Sequence, residues 1–160
     1  MREGTKSYLF GCHNFLMHPL LVLVAWIKLN RSFPSFYEFV CIMIHDVGHV
    51  GKNYLSDVKE KHKHWELGAM LAQKLFGYKG YLMVAGHTMQ SGHKRSKLYL
   101  PDKYSWIIAP LWWLRLNDKV ENFGDRVLEE WLEKIRENFN KGCPKGNHQL
   151  FLELRDGRKK

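Results

Sequence analysis

Apolar residues along the chain recur with the spacing of helices, and the long apolar segments lack the two-residue alternation of a half-buried strand. The first segment, HPLLVLVAWIKLN at residues 18–30, is apolar on every face, and Pro19 stands where a first helical turn tolerates proline. We therefore expect a central, buried helix. The second, PSFYEFVCIMIHD at residues 34–46, places Ser35 and Glu38 at the spacing of a capping box, so a helix should begin there and end by Gly48.

The third segment, HWELGAMLAQKLF at residues 64–76, predicts a helix that stops at Gly77. The three- and four-residue spacing of a helix puts four side chains on one face: His64, Leu67, Leu71 and Leu75. We expect this face to be the buried one, which would place His64 inside the fold and His62 elsewhere.

The remaining segments also have helical character. A short apolar stretch, YLMVAGH at residues 81–87, leads to a histidine, and DKYSWIIAPLWWLRLN at residues 102–117 predicts a fifth helix that Pro110 should kink or break. Its PLWWLRL portion suggests a dimer surface or a pocket wall, with ordinary buried packing as the alternative. The last segment, GDRVLEEWLEKIRENF at residues 124–139, has the pattern of an amphipathic helix.

The fold class that these segments predict is all-α. A chain of 160 residues has the length of one ordinary domain, and no repeat or Pro/Ser-rich linker marks a boundary within it. We expect a single domain over residues 1–160, with its core at about 11–139 and a C-terminal extension at 140–160.

The charge favours an anionic partner. The formal net charge is +9, which suits a phosphate ester, a nucleic acid or a membrane surface. The most apolar stretch, residues 15–27, is too short to cross a bilayer as a helix, so we expect a cytoplasmic protein with no membrane partner. Three cysteines without a CxxC pair indicate neither a disulfide framework nor a zinc knuckle.

Histidine is concentrated in the first two thirds of the chain. Neutral imidazole and ionised carboxylate are the usual ligands of Zn, Fe and Mn, and each predicted helix in this region offers such a group at an end or on an inward face. The candidate ligands are His18, His45, Asp46, His64, His87 and Asp102.

Three of these candidates have competitors. His13 precedes the same helix as His18, although the His-Pro junction fixes His18 at the helix start. His93 follows His87 in a loop with two cations, where solvent or phosphate would be its partner. Asp102 could instead be the N-cap of its helix, a common role for aspartate.

The ordered pattern H…HD…H…H…D in an all-helical chain resembles the HD-domain superfamily of metal-dependent phosphohydrolases. The resemblance covers roughly residues 11–110 and is strongest in HPLLVLVAWIKL, in IHDVGHVGK with HWELGAMLAQKLFG, and in GHTMQSGHKRSKLYLPDKYS. It implies a compact helical bundle with a metal site at its centre. By this resemblance the first ion is held by His18, His45, Asp46 and Asp102. A second ion shares Asp46 and is held by His64 and His87.

The resemblance also implies the chemistry. One or two divalent ions (Mn or Fe, or else Mg, Ni, Co or Zn) would activate a hydroxide that attacks a small phosphate ester, most plausibly a nucleotide. The candidate phosphate-binding cations are Lys52, Arg95, Lys97 and Lys103. The candidate catalytic residues are Asp46, His49 and Lys52.

His49 departs from the pattern, because many family members carry lysine at that position. It could support a ligand or contact the substrate, or it could interact with a helix dipole as a C-terminal histidine. Iron-loaded, mixed-valent oxygenases in a related branch of the superfamily have an HDxGH sequence like this one, so an oxidative function is one alternative. A basic nucleotide- or nucleic-acid-binding module with a structural metal is another, and a homo-oligomer is possible.

Overall fold

The computed structural model describes residues 16–50, 62–121, 125–147, 149–150 and 153–154, and within these ranges the chain is helical and contains no strand. The α-helices with described bounds are Met17–Asn30 (α1), Phe36–Ile44 (α2), His64–Phe76 (α3), Tyr78–Ala85 (α4), Tyr99–Ile108 (α5), Leu111–Glu121 (α6) and Asp125–Asn140 (α7). Two short 3-10 turns lie at Val47–His49 and Met89–Ser91. The predicted all-α class is confirmed for this part of the chain.

Local sequence features set two helix ends where the pattern predicted them. At the start of α2 the backbone N–H and the hydroxyl of Ser35 donate to Oε2 of Glu38, at 2.8 and 2.7 Å, so the capping box forms. The end of α3 is closed by the N–H of Gly77, which donates to the Gln73 carbonyl at 2.8 Å. The predicted fifth helix is broken rather than kinked, because Pro110 falls between α5 and α6.

Two groups of buried apolar side chains hold the helices together. One surrounds Trp106 and Trp131, where α5, α6 and α7 meet, and the other surrounds Ile42 and Val84, where α2, α3 and α4 meet. Helix α1 packs against α2 and α5 and contributes to both groups. These contacts join the helices that carry the candidate ligands, while the single-domain boundaries stay a prediction.

Helix α1 is not the fully enclosed central helix that its apolar sequence predicted. Leu20 and Val24 are exposed on its outer face, whereas Val22 and Trp26 are buried. Among the described helices, α2 and α5 make the main contacts with α1, and an apolar sequence alone does not say how many sides of a helix are covered. No helix in the described ranges has both the length and the apolar character that crossing a membrane requires.

Helix α3 buries a different face from the one predicted. His64 is buried and His62 exposed, as expected, but Leu67 and Leu75 are 48% and 62% exposed. The inward residues after His64 are small: Gly68, Ala69 and Ala72. A Cβ on Gly68 would lie 2.6 Å from the Ile44 carbonyl oxygen, so α2 and α3 meet backbone to backbone and the leucines turn outward.

Gly68→Ala is expected to destabilise the protein even though alanine is the better helix former. The methyl group would also lie 2.7 Å from the His45 carbonyl oxygen, so α3 must move away from the residue that carries a candidate ligand. We expect a loss of about 1–3 kcal/mol in the free energy of unfolding, measured by urea denaturation. Gly146→Ala is the matched control, because a Cβ there meets nothing within 4 Å. Equal stability of the two variants would contradict the close packing of α2 and α3.

The PLWWLRL stretch divides between inside and outside. Trp113 and Leu114 are buried in the core around Trp106, whereas Trp112 is 65% exposed. Buried packing therefore accounts for Trp113 and Leu114 only. The exposed residues leave the predicted dimer surface or pocket wall open.

Candidate metal centre

The six predicted ligand residues come together from five helices, at or near helix ends. His18 lies in the first turn of α1, His64 begins α3, and Asp102 lies in the first turn of α5. His45 and Asp46 directly follow α2, and His87 follows α4 by two residues. The four histidines and Asp102 are buried, and 12% of the Asp46 side chain is exposed.

One half of the cluster consists of His18, His45, Asp102 and one oxygen of Asp46. The Nε2 atoms of His18 and His45 lie 3.3 Å apart. They lie 3.2 and 3.5 Å from Asp46 Oδ2, and 3.2 and 3.7 Å from Asp102 Oδ1. Ligand atoms at about 2.1 Å from one ion are separated by about 3.0–3.4 Å in octahedral or tetrahedral geometry. Three of the five distances lie in this interval, and the two from His45 to the carboxylates exceed it slightly, so the spacing is close to that expected around a divalent ion.

The other half is built on the second oxygen of Asp46. Asp46 Oδ1 lies 3.4 Å from Nε2 of His87, and 3.8 Å from Nε2 of both His64 and His49. The Nε2 atoms of His64 and His87 are 3.2 Å apart. The two oxygens of Asp46 thus face different sets of nitrogens, and His45 and His87 from the two halves also lie close enough to Asp46 to form one group with it.

Backbone carbonyls hold two of the imidazoles ready to bind a metal. His45 Nδ1 donates to the Ile42 carbonyl at 2.7 Å, and His87 Nδ1 donates to the Val84 carbonyl at 2.5 Å. A carbonyl can only accept, so when either ring is neutral its proton lies on Nδ1 and its lone pair on Nε2. In both residues Nε2 is the atom that faces the cluster.

The charges in the cluster stabilise one another. Burial raises the pKa of Asp46, but the charges of His45 and His49 outweigh it and bring the pKa well below the ordinary value. For Asp102, burial is likewise outweighed, chiefly by Lys103, and the pKa is again well below the ordinary value. Burial lowers the pKa of His18, yet its hydrogen bonds to Asp102 and Asp46 raise it to about 9. Both carboxylates are therefore anionic and available as hard ligands.

The raised pKa of His18 predicts how the stability of the metal-free protein depends on pH. A histidine with a higher pKa in the folded state stabilises the fold fully below its unfolded pKa, and that contribution is lost as the pH rises through the folded pKa. In EDTA, the free energy of unfolding should fall by up to about 3 kcal/mol between about pH 6.5 and pH 9.

Urea denaturation at several pH values measures this dependence. In His18→Gln the slope over the same interval should be largely lost, since glutamine does not titrate. A wild-type stability that is flat or increasing from pH 6.5 to pH 9 would contradict the ion pairs of His18 with Asp46 and Asp102.

No family model, curated protein or solved structure matches this chain. The resemblance to the HD superfamily therefore rests on the order of the residues and on the geometry of the cluster. That geometry comprises a buried group of histidines and aspartates that could hold a metal ion, in a helical chain.

Two of the three alternatives to the predicted ligands can be compared with the described structure. His87 lies in the cluster, whereas His93 lies outside it, with Nε2 3.4 Å from the Tyr81 hydroxyl and its ring against Trp65. Asp102 is not an N-cap, because α5 begins three residues earlier and its N-cap position is Leu98. His13 lies outside the described residues.

The predicted substrate-binding cations have different surroundings. Lys103 contacts Asp102 directly, and its Nζ lies 5.5 Å from the centre of the Tyr99 ring. Arg95 donates to the carbonyls of residues 142 and 143 at 2.9 Å, and exposed Lys97 lies 3.4 Å from Glu38. Lys103 is therefore the cation that these contacts bring to the cluster, and Lys52 lies outside the described residues.

Two neighbours of the cluster were not identified from the sequence as part of it. The ring of Trp106 lies 5.8 Å from that of His18, so the larger aromatic core supports this histidine directly. His49 was predicted as a catalytic, supporting or substrate-contacting residue but not as a ligand, and its ring lies against that of His64, with ring centres 4.6 Å apart. The four-residue spacing of His45 and His49 was the signal in the sequence that His49 could lie near the ligands. Residues four apart lie on the same side of a helical turn.

Proposed function

We propose that this chain is an HD-type metal-dependent phosphohydrolase whose substrate is a small phosphate ester of the nucleotide class. The observation that carries the proposal is the convergence of six side chains, in the order of the HD pattern, on two adjacent groups of donor atoms that share Asp46. One buried histidine at a helix end is commonly structural. Six side chains that place nitrogen and oxygen donors around both oxygens of one carboxylate favour a metal centre.

The chemistry of the donors indicates which ions suit the centre. Imidazole nitrogen together with carboxylate oxygen suits Mn, Fe, Co, Ni and Zn, and two carboxylates also admit Mg. When bound, such ions polarise phosphoryl oxygens and lower the pKa of water at neutral pH. The protein's part is to hold the ligands in place, through the helix ends and through the carbonyls that fix His45 and His87.

The local charge supports an anionic substrate. Two carboxylates, Asp46 and Asp102, would only partly neutralise two divalent ions, so the loaded centre keeps a positive charge. Lys103 adds another positive charge beside Asp102, because the carboxylate outweighs the effect of burial and raises the lysine pKa above its ordinary value. This lysine can contact a phosphate oxygen and hold it next to the ions. The chain's net charge of +9 would attract the same substrates from solution.

The test is the release of product from a panel of nucleoside mono-, di- and triphosphates, dinucleotides and cyclic dinucleotides in the presence of Mn²⁺. Asp46→Ala serves as the blank. We expect turnover of at least one class at a rate far above the blank. Identical rates for the wild-type protein and the blank across the whole panel, with metal bound, would contradict a phosphohydrolase of nucleotides.

A second function is favoured by the position of His49. The half of the cluster that contains His49, His64 and His87 is rich in nitrogen, a ligand environment that suits iron. A mixed-valent diiron oxygenase of the same superfamily would use it. In that case the iron-loaded protein consumes O₂ with its substrate and leaves every phosphate ester intact. Phosphate release without O₂ consumption would exclude it.

A further inference from the structure

His49 lies at the same distance from Asp46 as His64 does and is equally buried. Both Nε2 atoms lie 3.8 Å from Asp46 Oδ1, and both residues are 7% exposed. Donor atoms of Asp46, His49 and His64 lie within 4.8 Å of one another. His49 therefore meets the same distance criterion around Asp46 as His64 does.

The distances between the ring centres agree with a shared ion. Two imidazoles bound to one ion through Nε2 at about 2.0–2.1 Å have ring centres about 4.5–5.2 Å apart when the ligand angle lies between 90° and 110°. The centres of His49 and His64 are 4.6 Å apart, and those of His64 and His87 are 5.2 Å apart. Both neighbouring pairs on this side fall in the expected interval.

Gly48, the residue before His49, allows the backbone to approach α3 this closely. A Cβ at residue 48 would lie 1.9 Å from the His64 carbonyl oxygen, so a glycine is needed for the 3-10 turn Val47–His49 to lie against the start of α3. The turn also separates His49 from the end of α2 at Ile44, which removes the predicted role as the C-terminal histidine of that helix. The contact with α3 therefore carries His49 onto His64.

We propose that His49 is a protein ligand of the second ion, together with Asp46 Oδ1, His64 and His87. This inference rests on the proposed metal centre and deepens it. It makes the two halves chemically different, because the first has two histidines and two carboxylate oxygens, and the second has three histidines and one carboxylate oxygen. The nitrogen-rich second half should prefer Fe²⁺, Co²⁺ or Zn²⁺, while the first half accepts Mn²⁺ more readily.

The experiment counts the ions bound by the full chain and needs no substrate. Wild-type protein and three variants, His49→Gln, His64→Gln and His62→Gln, are stripped with chelator, equilibrated against buffered Zn²⁺ and assayed for bound metal. His62 is exposed and serves as the negative control, and His64 is the positive control. We expect His49→Gln to keep one ion at wild-type affinity and to bind the other at least about 100-fold more weakly, beyond the usual effect of losing a residue that only supports a ligand.

Chemical rescue separates a ligand from a residue that merely packs. In His49→Ala, added imidazole should restore binding of the second ion, because it can occupy the vacated position and offer the same nitrogen. Wild-type affinity for both ions in His49→Gln, or a failure of imidazole to restore binding, would overturn the role of His49. A wild-type protein that binds only one ion would also overturn the role of His49, without contradicting an ion in the first half of the cluster. A wild-type protein that binds no metal overturns the metal centre itself.

Discussion

Asp46→Asn is expected to abolish turnover and to release the metal while leaving the helices folded. Among the described residues, Asp46 is the one whose two carboxylate oxygens face the two halves of the cluster, so its loss weakens both. Asparagine has the same shape but carries no charge. Lewis-acid stabilisation by bound ions is worth several kcal/mol, so turnover should fall by at least about a thousandfold.

Three measurements on the same sample check this result: product release, bound metal and the far-ultraviolet circular dichroism spectrum. Glu129→Gln is the matched control, because it removes a carboxylate from an exposed pair with Arg115 and should change none of them. His45→Ala should behave as Asp46→Asn does. Wild-type turnover or wild-type metal content in Asp46→Asn would remove the basis of the proposed function.

Trp106→Ala is expected to cause the largest loss of stability among the substitutions considered. The indole packs against Trp131, with ring centres 5.1 Å apart, and on its other side against His18. Truncating a buried tryptophan costs about 3–5 kcal/mol, because apolar burial is lost and a cavity remains. The effect should also reach the site, since His18 loses the ring that packs against it, and binding of the first ion should weaken.

Trp112→Ala provides the control within the same sequence stretch. This indole is 65% exposed, so its loss should change the free energy of unfolding by less than about 1 kcal/mol. Urea denaturation of both variants gives the comparison. Equal destabilisation by the two substitutions would contradict the assignment of Trp106 to the core that supports His18.

The helices and the ligand set could be predicted because they depend on local rules. Ser35 and Glu38 mark a helix start at any position in a protein, and Pro110 interrupts a helix wherever it occurs. The ligands could be predicted because metal chemistry restricts them to a few residue types. The order of those residue types along the chain can be read directly from the sequence. His45 with Asp46 illustrates this, since the pair directly follows the last residue of α2.

Features that depend on close packing could not be predicted in the same way. Periodicity ranks positions by hydrophobicity, so it favoured Leu67 and Leu75 as the inner face of α3. The structure instead buries Gly68, because two backbones in contact leave no room for a larger side chain. Arg95 is a similar case: it stands near predicted ligands in the sequence, but its guanidinium binds carbonyls at residues 142 and 143, which are distant in sequence. The position of His49 on His64 likewise required the fold.

The measurement that tests the account most directly is the anomalous X-ray scattering of crystals grown with Mn²⁺ or Zn²⁺. We expect two peaks a few ångströms apart on either side of Asp46. One should lie within bonding distance of His18, His45 and Asp102, and the other within bonding distance of His64 and His87. A map of well-ordered crystals at saturating metal with no peak among these residues, or with its peaks elsewhere on the surface, would contradict the metal centre.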